Sequence, residues 1–308
     1  MTAVLVIIAP IAILVLTGSA LAKFRLLSSQ DWLGIEKLSF KLLIPTLIVH
    51  AIYKSDLSLS TAGGYVAALI GTITIIGFLT LCLRRFLTPS QLSGPALSSL
   101  FQATTRWNVF IVLPIALQVF GSKGLTTIAI AMAVLIPLIN IVNIVMLAVL
   151  HSSKLQHSAI LKTVAQNPLA IACAVGLTLN LTGFPLPQAL DEALALVSRG
   201  ALAIGLLCIG AAFDWWRLFR PRWPVLWGVG MKNVAAPLVF FGLGYAIGLS
   251  SLEMVCGMLI VAAPAATNGY IIAKQMGGDA ELYAYTLSWQ LVASLITIPV
   301  LIHFTSAY

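Results

Sequence analysis

Ten apolar stretches, each about as long as a bilayer-spanning helix, follow one another along this 308-residue chain with little between them. They cover residues 2–22, 36–53, 62–83, 95–119, 125–150, 164–183, 189–212, 225–248, 253–275 and 282–305. A helix crossing the hydrocarbon needs roughly 20 mostly apolar residues. The stretches therefore use nearly the whole chain and leave no room for a soluble catalytic domain. With 60% hydrophobic and only 8% charged residues, the composition is far from that of a soluble globular domain. The fold class expected is an all-α integral membrane protein of ten transmembrane helices, whose function must sit among the helices.

The formal net charge is +8, but the basic residues are scattered between apolar runs, so a nucleic-acid partner is not expected. They read as topology signals. Lys23, Arg25, Arg84, Arg85, Lys154, Lys162, Arg217, Arg220, Arg222 and Lys274 fall on one side, and the opposite loops carry only Lys54 and Lys123. The positive-inside rule puts the richer side in the cytoplasm and both termini outside, in a cell (inner or plasma) membrane. The cluster Trp215, Trp216, Arg217, Arg220, Arg222, Trp223 reads as an interfacial belt anchoring the chain in the lipid bilayer. The first run, Thr2 to Ala22, lacks a basic segment before it and is longer than a signal-peptide core, so it is expected to be a retained helix. Cys82, Cys173, Cys208 and Cys256 stand singly in apolar stretches. No metal or redox site, and no cofactor, is expected from them.

The most polar interval, around His151 to Thr163, divides the chain into residues 1–150, a cytoplasmic linker over 151–163, and residues 164–308. Five spans per half is an odd number, so two related halves would be inverted repeats. A weak internal echo supports this. The fourth span holds Arg106-Trp107-Asn108-Val109-Phe110-Ile111 and the ninth holds Thr267-Asn268-Gly269-Tyr270-Ile271. Each places an Asn, any residue, an aromatic and an Ile at mid-span. Pro95 and Pro114 flank the first segment, while Pro264 and Gly269 lie in the second. Proline removes a backbone donor and clashes with the preceding turn, so both spans are expected to break near mid-membrane, with Pro114, Pro264 and Gly269 as the crossover residues. Backbone freed there cannot face lipid and must line an enclosed cavity.

The ionisable residues set the sign of a possible cargo. All nine acidic residues fall in loops or at span ends, whereas Arg106, Arg199 and Lys232 lie within apolar spans. A buried cation without an acid partner is costly, and its natural partners are an anionic ligand or carbonyl oxygens. Arg106 is the foremost candidate for an anion contact, with a structural role at a pore mouth as the alternative. For Arg199, substrate binding competes evenly with capping of broken-helix carbonyls. For Lys232, about two turns from a helix end, snorkelling to the interface is favoured slightly over ligand contact. The substrate-binding set is thus Arg106, Trp107, Asn108, Arg199, Thr267 and Asn268. Asn140 and Asn143 are expected to hydrogen-bond across helices, His50 to be a satisfied helix histidine, and Trp289 and Gln290 to be possible cavity residues.

At these motifs the chain resembles the auxin efflux carrier family, bacterial relatives of the plant PIN-FORMED transporters. "NPLAIACAVGLTLNLTGFPLPQAL" from Asn167, "ALAIGLLCIGAAF" from Ala201 and "APAATNGYIIAKQMGGDAEL" from Ala263 are similar to that family's sixth, seventh and ninth helices. "IPTLIVH" from Ile44 and "RWNVFIVLPIALQVFG" from Arg106 resemble its second and fourth. The resemblance implies two inverted five-helix repeats with broken, crossing helices 4 and 9, an architecture shared with bile-acid symporters and sodium–proton antiporters. It also implies elevator-type movement, a homodimer, and small organic anions as cargo, auxin-like or other mono- and dicarboxylates. The crossover residues it implies are Asn108, Pro114, Pro264, Thr267 and Asn268. Trp107 and Val109 depart from the Asn and Gly that many bacterial members carry, which implies a more hydrophobic pocket.

Three other readings compete. A sodium-coupled bile-acid-like symporter is disfavoured by the lack of intramembrane carboxylates. A membrane enzyme is disfavoured because His50, His151, His157 and His303 are dispersed, with no H-E-x-x-H motif or paired acids. A non-transporting sensor or scaffold differs from a carrier only in moving nothing.

Overall fold

The computed structural model describes residues 2–54, 59–150, 168–211 and 222–305. The linker over 151–163, most of the Trp215–Trp223 cluster, and Asp56, Asp214, His151 and His157 lie outside the described residues, as does the side chain of Cys173. The described residues are helical, without strands. The helices, in chain order, are α1 (Thr2–Lys23), α2 (Ser29–Leu38), α3 (Ile44–Tyr53), α4 (Leu59–Phe86), α5 (Gly94–Thr105), α6 (Val109–Leu150) and α7 (Pro168–Thr182). They continue with α8 (Gln188–Ala211), α9 (Trp223–Gly230), α10 (Ala236–Ile247), α11 (Ser251–Ala262), α12 (Asn268–Gln275) and α13 (Ala280–Thr305). Single π-helical turns, Ser39–Leu43 and Met231–Ala235, join α2 to α3 and α9 to α10.

Five stretches are long and apolar enough to cross a membrane by length and composition, among them Gly63–Phe86, Gln188–Ala211, Trp223–Ile247 and Ala280–Phe304. The fifth, Gly94–Leu147, is 54 residues long, well over the roughly 20 that one crossing uses. It is interrupted at Arg106–Asn108, where the backbone leaves the helix, and turns again at Gly121. That glycine sits at φ 60°, ψ −147°, a conformation that an L side chain resists.

The chain forms two compact units, each discontinuous in sequence. The first comprises residues 1–60, 110–137 and 162–213, and the second residues 61–109, 138–161 and 214–308.

In the first unit α1 packs on α8 through glycines. A Cβ on Gly18 would strike the Leu207 carbonyl, and one on Gly210 the Val15 carbonyl. Small residues at these points let two backbones approach, which is how helices gain van der Waals contact where no hydrophobic effect drives them together. A capping box opens α2: Ser28 Oγ accepts the Asp31 amide at 3.1 Å, and Asp31 Oδ2 accepts the Ser28 amide at 2.8 Å. These bonds hold the Asp31 carboxyl below the usual carboxylate range. At the far end of α3, Asn180 Nδ2 donates to the Ile52 and Tyr53 carbonyls at 3.0 and 3.1 Å, satisfying helix-end acceptors. Asp191 of α8 accepts from Lys54 Nζ at 2.7 Å and lies 3.2 Å from His50 Nε2, so His50 is a partnered helix histidine.

In the second unit, Leu83, Leu92, Ala96, Leu97, Leu100, Val225 and Leu282 form an apolar cluster that joins α4, α5, α9 and α13. Gly257 of α11 seats the Phe240 ring, and Tyr65 meets that ring edge-on at 6.4 Å. This packing holds α5 and α11, the two helices that stop short.

Candidate functional site

Two interrupted helices meet in the second unit. α5 ends at Thr105, and its cap Arg106 is extended at φ −78°, ψ 157°. α11 ends at Ala262, and its cap Ala263 is extended at φ −63°, ψ 145°. Local chemistry favours the first stop. The hydroxyls of Thr104 and Thr105 both donate back to the Phe101 carbonyl, at 3.0 and 2.7 Å, and such back-bonding loosens a helix. Asn108, a favoured residue just before a helix start, immediately precedes α6. At the second stop Pro264 lies in the non-helical segment and cannot donate to the preceding turn.

The segments touch where Asn108 Nδ2 donates to the Ala265 carbonyl at 3.5 Å. Side chains of α13 and of the adjoining π-turn then satisfy the freed backbone. Gln290 Oε1 accepts the Ala265 amide at 2.9 Å, and its Nε2 donates to the carbonyls of Ala103 and Gly228 at 3.0 and 3.1 Å. The Ala262 carbonyl accepts from Asn233 Nδ2 and Ser294 Oγ, both at 3.1 Å. Tyr283 donates its hydroxyl to the Ala266 carbonyl at 2.6 Å. These bonds satisfy the freed backbone groups, as buried backbone must be, while Asn233 Oδ1 itself is buried without a partner.

Arg106 also keeps an open donor. Its side chain is 3% exposed. Nε donates to Gln102 Oε1 at 3.2 Å and Nη1 to Asn140 Oδ1 at 3.0 Å, while Nη2 has no partner. Gln102 Nε2, buried in the same cluster, is likewise unpartnered. Among the described residues no carboxylate pairs with Arg106, so one guanidinium nitrogen and one amide nitrogen stand as unfilled donors beside the crossing.

The expected site residues separate on this geometry. Arg106, Trp107, Asn108 and Pro264 are buried at the crossing, and Thr267 is half-buried as the residue before α12. Asn268 opens α12; its side chain lies outside the described residues. Pro114 is not at an interruption: it lies inside α6, past Asn108. Gly269 is likewise within α12, where it makes room for Tyr283, whose ring and hydroxyl a Cβ would strike. Arg199 is exposed on α8, which belongs to the first unit. Lys232 does not snorkel: it is 2% exposed.

Asn143 and Asn140 do bond across helices, Asn143 Nδ2 to Thr105 Oγ1 at 3.2 Å and Asn140 to Arg106. Gln102, Asn233, Tyr283 and Ser294 were not singled out from sequence. A signal existed, because Tyr283, Gln290, Ser294 and Thr297 recur at helical spacing along one face of α13.

Helices throughout the described residues, several of them membrane-spanning in length and composition, and polar interruptions buried among them define a multi-pass membrane protein. Residues 152–302 match the family described as membrane transport protein. Over those residues the chain is similar to this transporter family, as the resemblance to the auxin efflux carriers implied. A curated relative, an uncharacterized transporter of Methanothermobacter thermautotrophicus, is 22% identical over 298 residues, covering 94% of each chain.

Proposed function

We propose that this protein is a secondary transporter that moves small organic anions, auxin-like or other mono- and dicarboxylates, by elevator-type alternating access. Ten transmembrane helices in two inverted five-helix repeats form the carrier, over residues 1–150 and 164–308 with a cytoplasmic linker at 151–163. It resides as a homodimer in the cell membrane with both termini outside. The cargo binds at the crossing, through Asn108, Asn268, Thr267, Trp107 and Arg106. No catalytic role is assigned to any residue.

The observation that carries this reading is Arg106, a buried guanidinium beside two interrupted helices with an unfilled donor and, among the described residues, no acid partner. A buried cation so placed is costly without a counter-charge, and a carboxylate ligand provides one, met by the unpartnered Nη2. That the whole crossing lies within one compact unit accords with an elevator, in which one unit carries the site. Asn108 and the neighbouring Gln102 amide supply neutral hydrogen bonds suited to orienting a carboxylate.

The test is a thermal-shift screen of purified protein against a panel of carboxylates, repeated on Asn108→Ala and Asn268→Ala. A carboxylate that stabilises the parent is expected to lose most of its effect in both variants. If the variants respond like the parent, the site is elsewhere. Isotope flux in proteoliposomes separates a carrier from a sensor or scaffold, which moves nothing.

A further inference from the structure

Arg106 is not alone on its side of the helix. Ser99 and Gln102 precede it at helical spacing, which puts the three side chains on one face of α5 and its cap. The bond from Arg106 Nε to Gln102 Oε1 confirms that shared face. Ser99 and Gln102 are fully buried and Arg106 is 3% exposed. Each nevertheless keeps a buried atom without a partner: Ser99 Oγ, Gln102 Nε2 and Arg106 Nη2. Folded proteins leave few buried polar groups unsatisfied, and here they stand in line.

The surroundings explain why no protein group meets them. At the Ser99 end the stripe is covered by the turn after α12, where a Cβ on Gly278 would lie 2.9 Å from Ser99 Oγ and 3.2 Å from the Ala273 Cβ. The amides of that turn are already used, Gly278 N–H on the Ala273 carbonyl at 2.7 Å and Asp279 N–H on the Pro95 carbonyl at 3.2 Å. Gly278 and Ala273 bring no polar side chain. At the other end the Asn140 oxygen is taken by Arg106 Nη1. The face therefore offers two nitrogen donors and a hydroxyl, with a single positive charge at one end.

We propose that this face of α5 sets the specificity of the cargo site. An extended, unbranched carboxylate lies along it, with its carboxylate on Arg106 Nη2 and an uncharged oxygen of its tail on Gln102 Nε2 or Ser99 Oγ. Neighbouring positions on the stripe are about 5–6 Å apart at their Cβ atoms, the reach of a few carbons. The class is short oxo- and hydroxy-acids. A tail amine finds no acid on the stripe, and a second carboxylate finds no second cation. A purely apolar tail leaves the buried donors unpaired, and a site built to hydrogen-bond a substrate rejects the analogue that lacks the group. The face is buried in this structure, so cargo reaches it in a more open state of the unit, as alternating access requires. This inference rests on the reading of Arg106 as the carboxylate contact.

The test compares two acids of equal chain length, pentanoate and 4-oxopentanoate, whose ketone stands two methylene groups from the carboxylate. Thermal unfolding of the purified full chain is followed across a concentration series of each, for the parent, Ser99→Ala and Gln102→Met. In the parent, 4-oxopentanoate is expected to act at a concentration roughly tenfold lower than pentanoate, the factor that one added hydrogen bond supplies. Ser99→Ala and Gln102→Met are each expected to narrow that gap. If Gln102→Met cannot be purified, Ser99→Ala decides alone. Equal action of the two acids on the parent would overturn the proposal while leaving Arg106 as the anion contact. A gap unchanged in both variants would overturn it too. No shift by either acid in the parent would remove the stripe and the carboxylate reading together.

Discussion

Gln290 accepts the amide of Ala265 at 2.9 Å with one end of its side chain and donates to the carbonyl of Ala103 at 3.0 Å with the other. One residue of the last helix therefore closes both interruptions, in segments that lie 187 and 25 residues from it in sequence. Replacing it strands a donor and an acceptor together. Each buried group left unsatisfied costs about 1–3 kcal/mol. Gln290→Ala is expected to lower the unfolding temperature by several degrees, and Gln290→Glu, which keeps the acceptor but loses the donor, to fall between. A variant unfolding within a degree of the parent would remove Gln290 from its bracing role.

The contact between Gly269 and Tyr283 has no slack, because a Cβ at position 269 runs into the tyrosine ring and hydroxyl. Gly269→Ala is expected to destabilise by about 1–3 kcal/mol, the usual range for overpacking. Tyr283→Phe, which loses only the 2.6 Å bond to the Ala266 carbonyl, is expected to cost about 1 kcal/mol. Tyr283→Leu should recover part of the loss in the Gly269→Ala background. Strict additivity in denaturant melts would show that the two positions do not meet.

Arg106 offers a case in which stability and binding part company. Arg106→Met relieves the desolvation of a buried cation but strands the Gln102 and Asn140 oxygens it bonds, so the two effects offset and stability without ligand is expected to change little. The same change should abolish carboxylate-dependent stabilisation, since the charge that the anion meets is gone. Retained carboxylate response in Arg106→Met would move the anion contact to another residue. A large loss of stability without ligand would instead show the guanidinium to be structural.

Asp191 joins α8 to the end of α3 through Lys54 and His50. Its carboxylate raises the Lys54 ammonium above the ordinary lysine value of 10.5. A raised lysine pKa means the stabilisation is fully present below that value and fades as pH climbs through the folded pKa. The pair is solvent-exposed, so its contribution is small and screened by salt. Asp191→Asn is expected to lower the unfolding temperature slightly near neutral pH, with the difference shrinking at high salt and above pH 10.5. A difference that is indifferent to salt would point to packing rather than charge.

Much of this protein was open to reading from the order of its residues. Apolar runs of membrane-crossing length, the placing of Pro264, and the Asn-bearing segments around residues 108 and 268 are local patterns. Membrane solvation acts on them locally too, since every stretch must satisfy its own backbone in lipid. The two interruptions fall inside the expected segments for that reason. What the sequence left open was decided by helix rotation and by contacts between distant stretches. Pro114 was expected at a break but lies inside α6, because the hydroxyls of Thr104 and Thr105 and the extended Arg106 end the helix earlier. Arg199 shares its residue type with Arg106 but belongs to the other compact unit. Lys232, near enough to a helix end to snorkel, is instead buried and lines a small internal cavity. Whether a charge meets water, a dipole or a partner depends on which face of its helix is covered, and only the packed structure sets that.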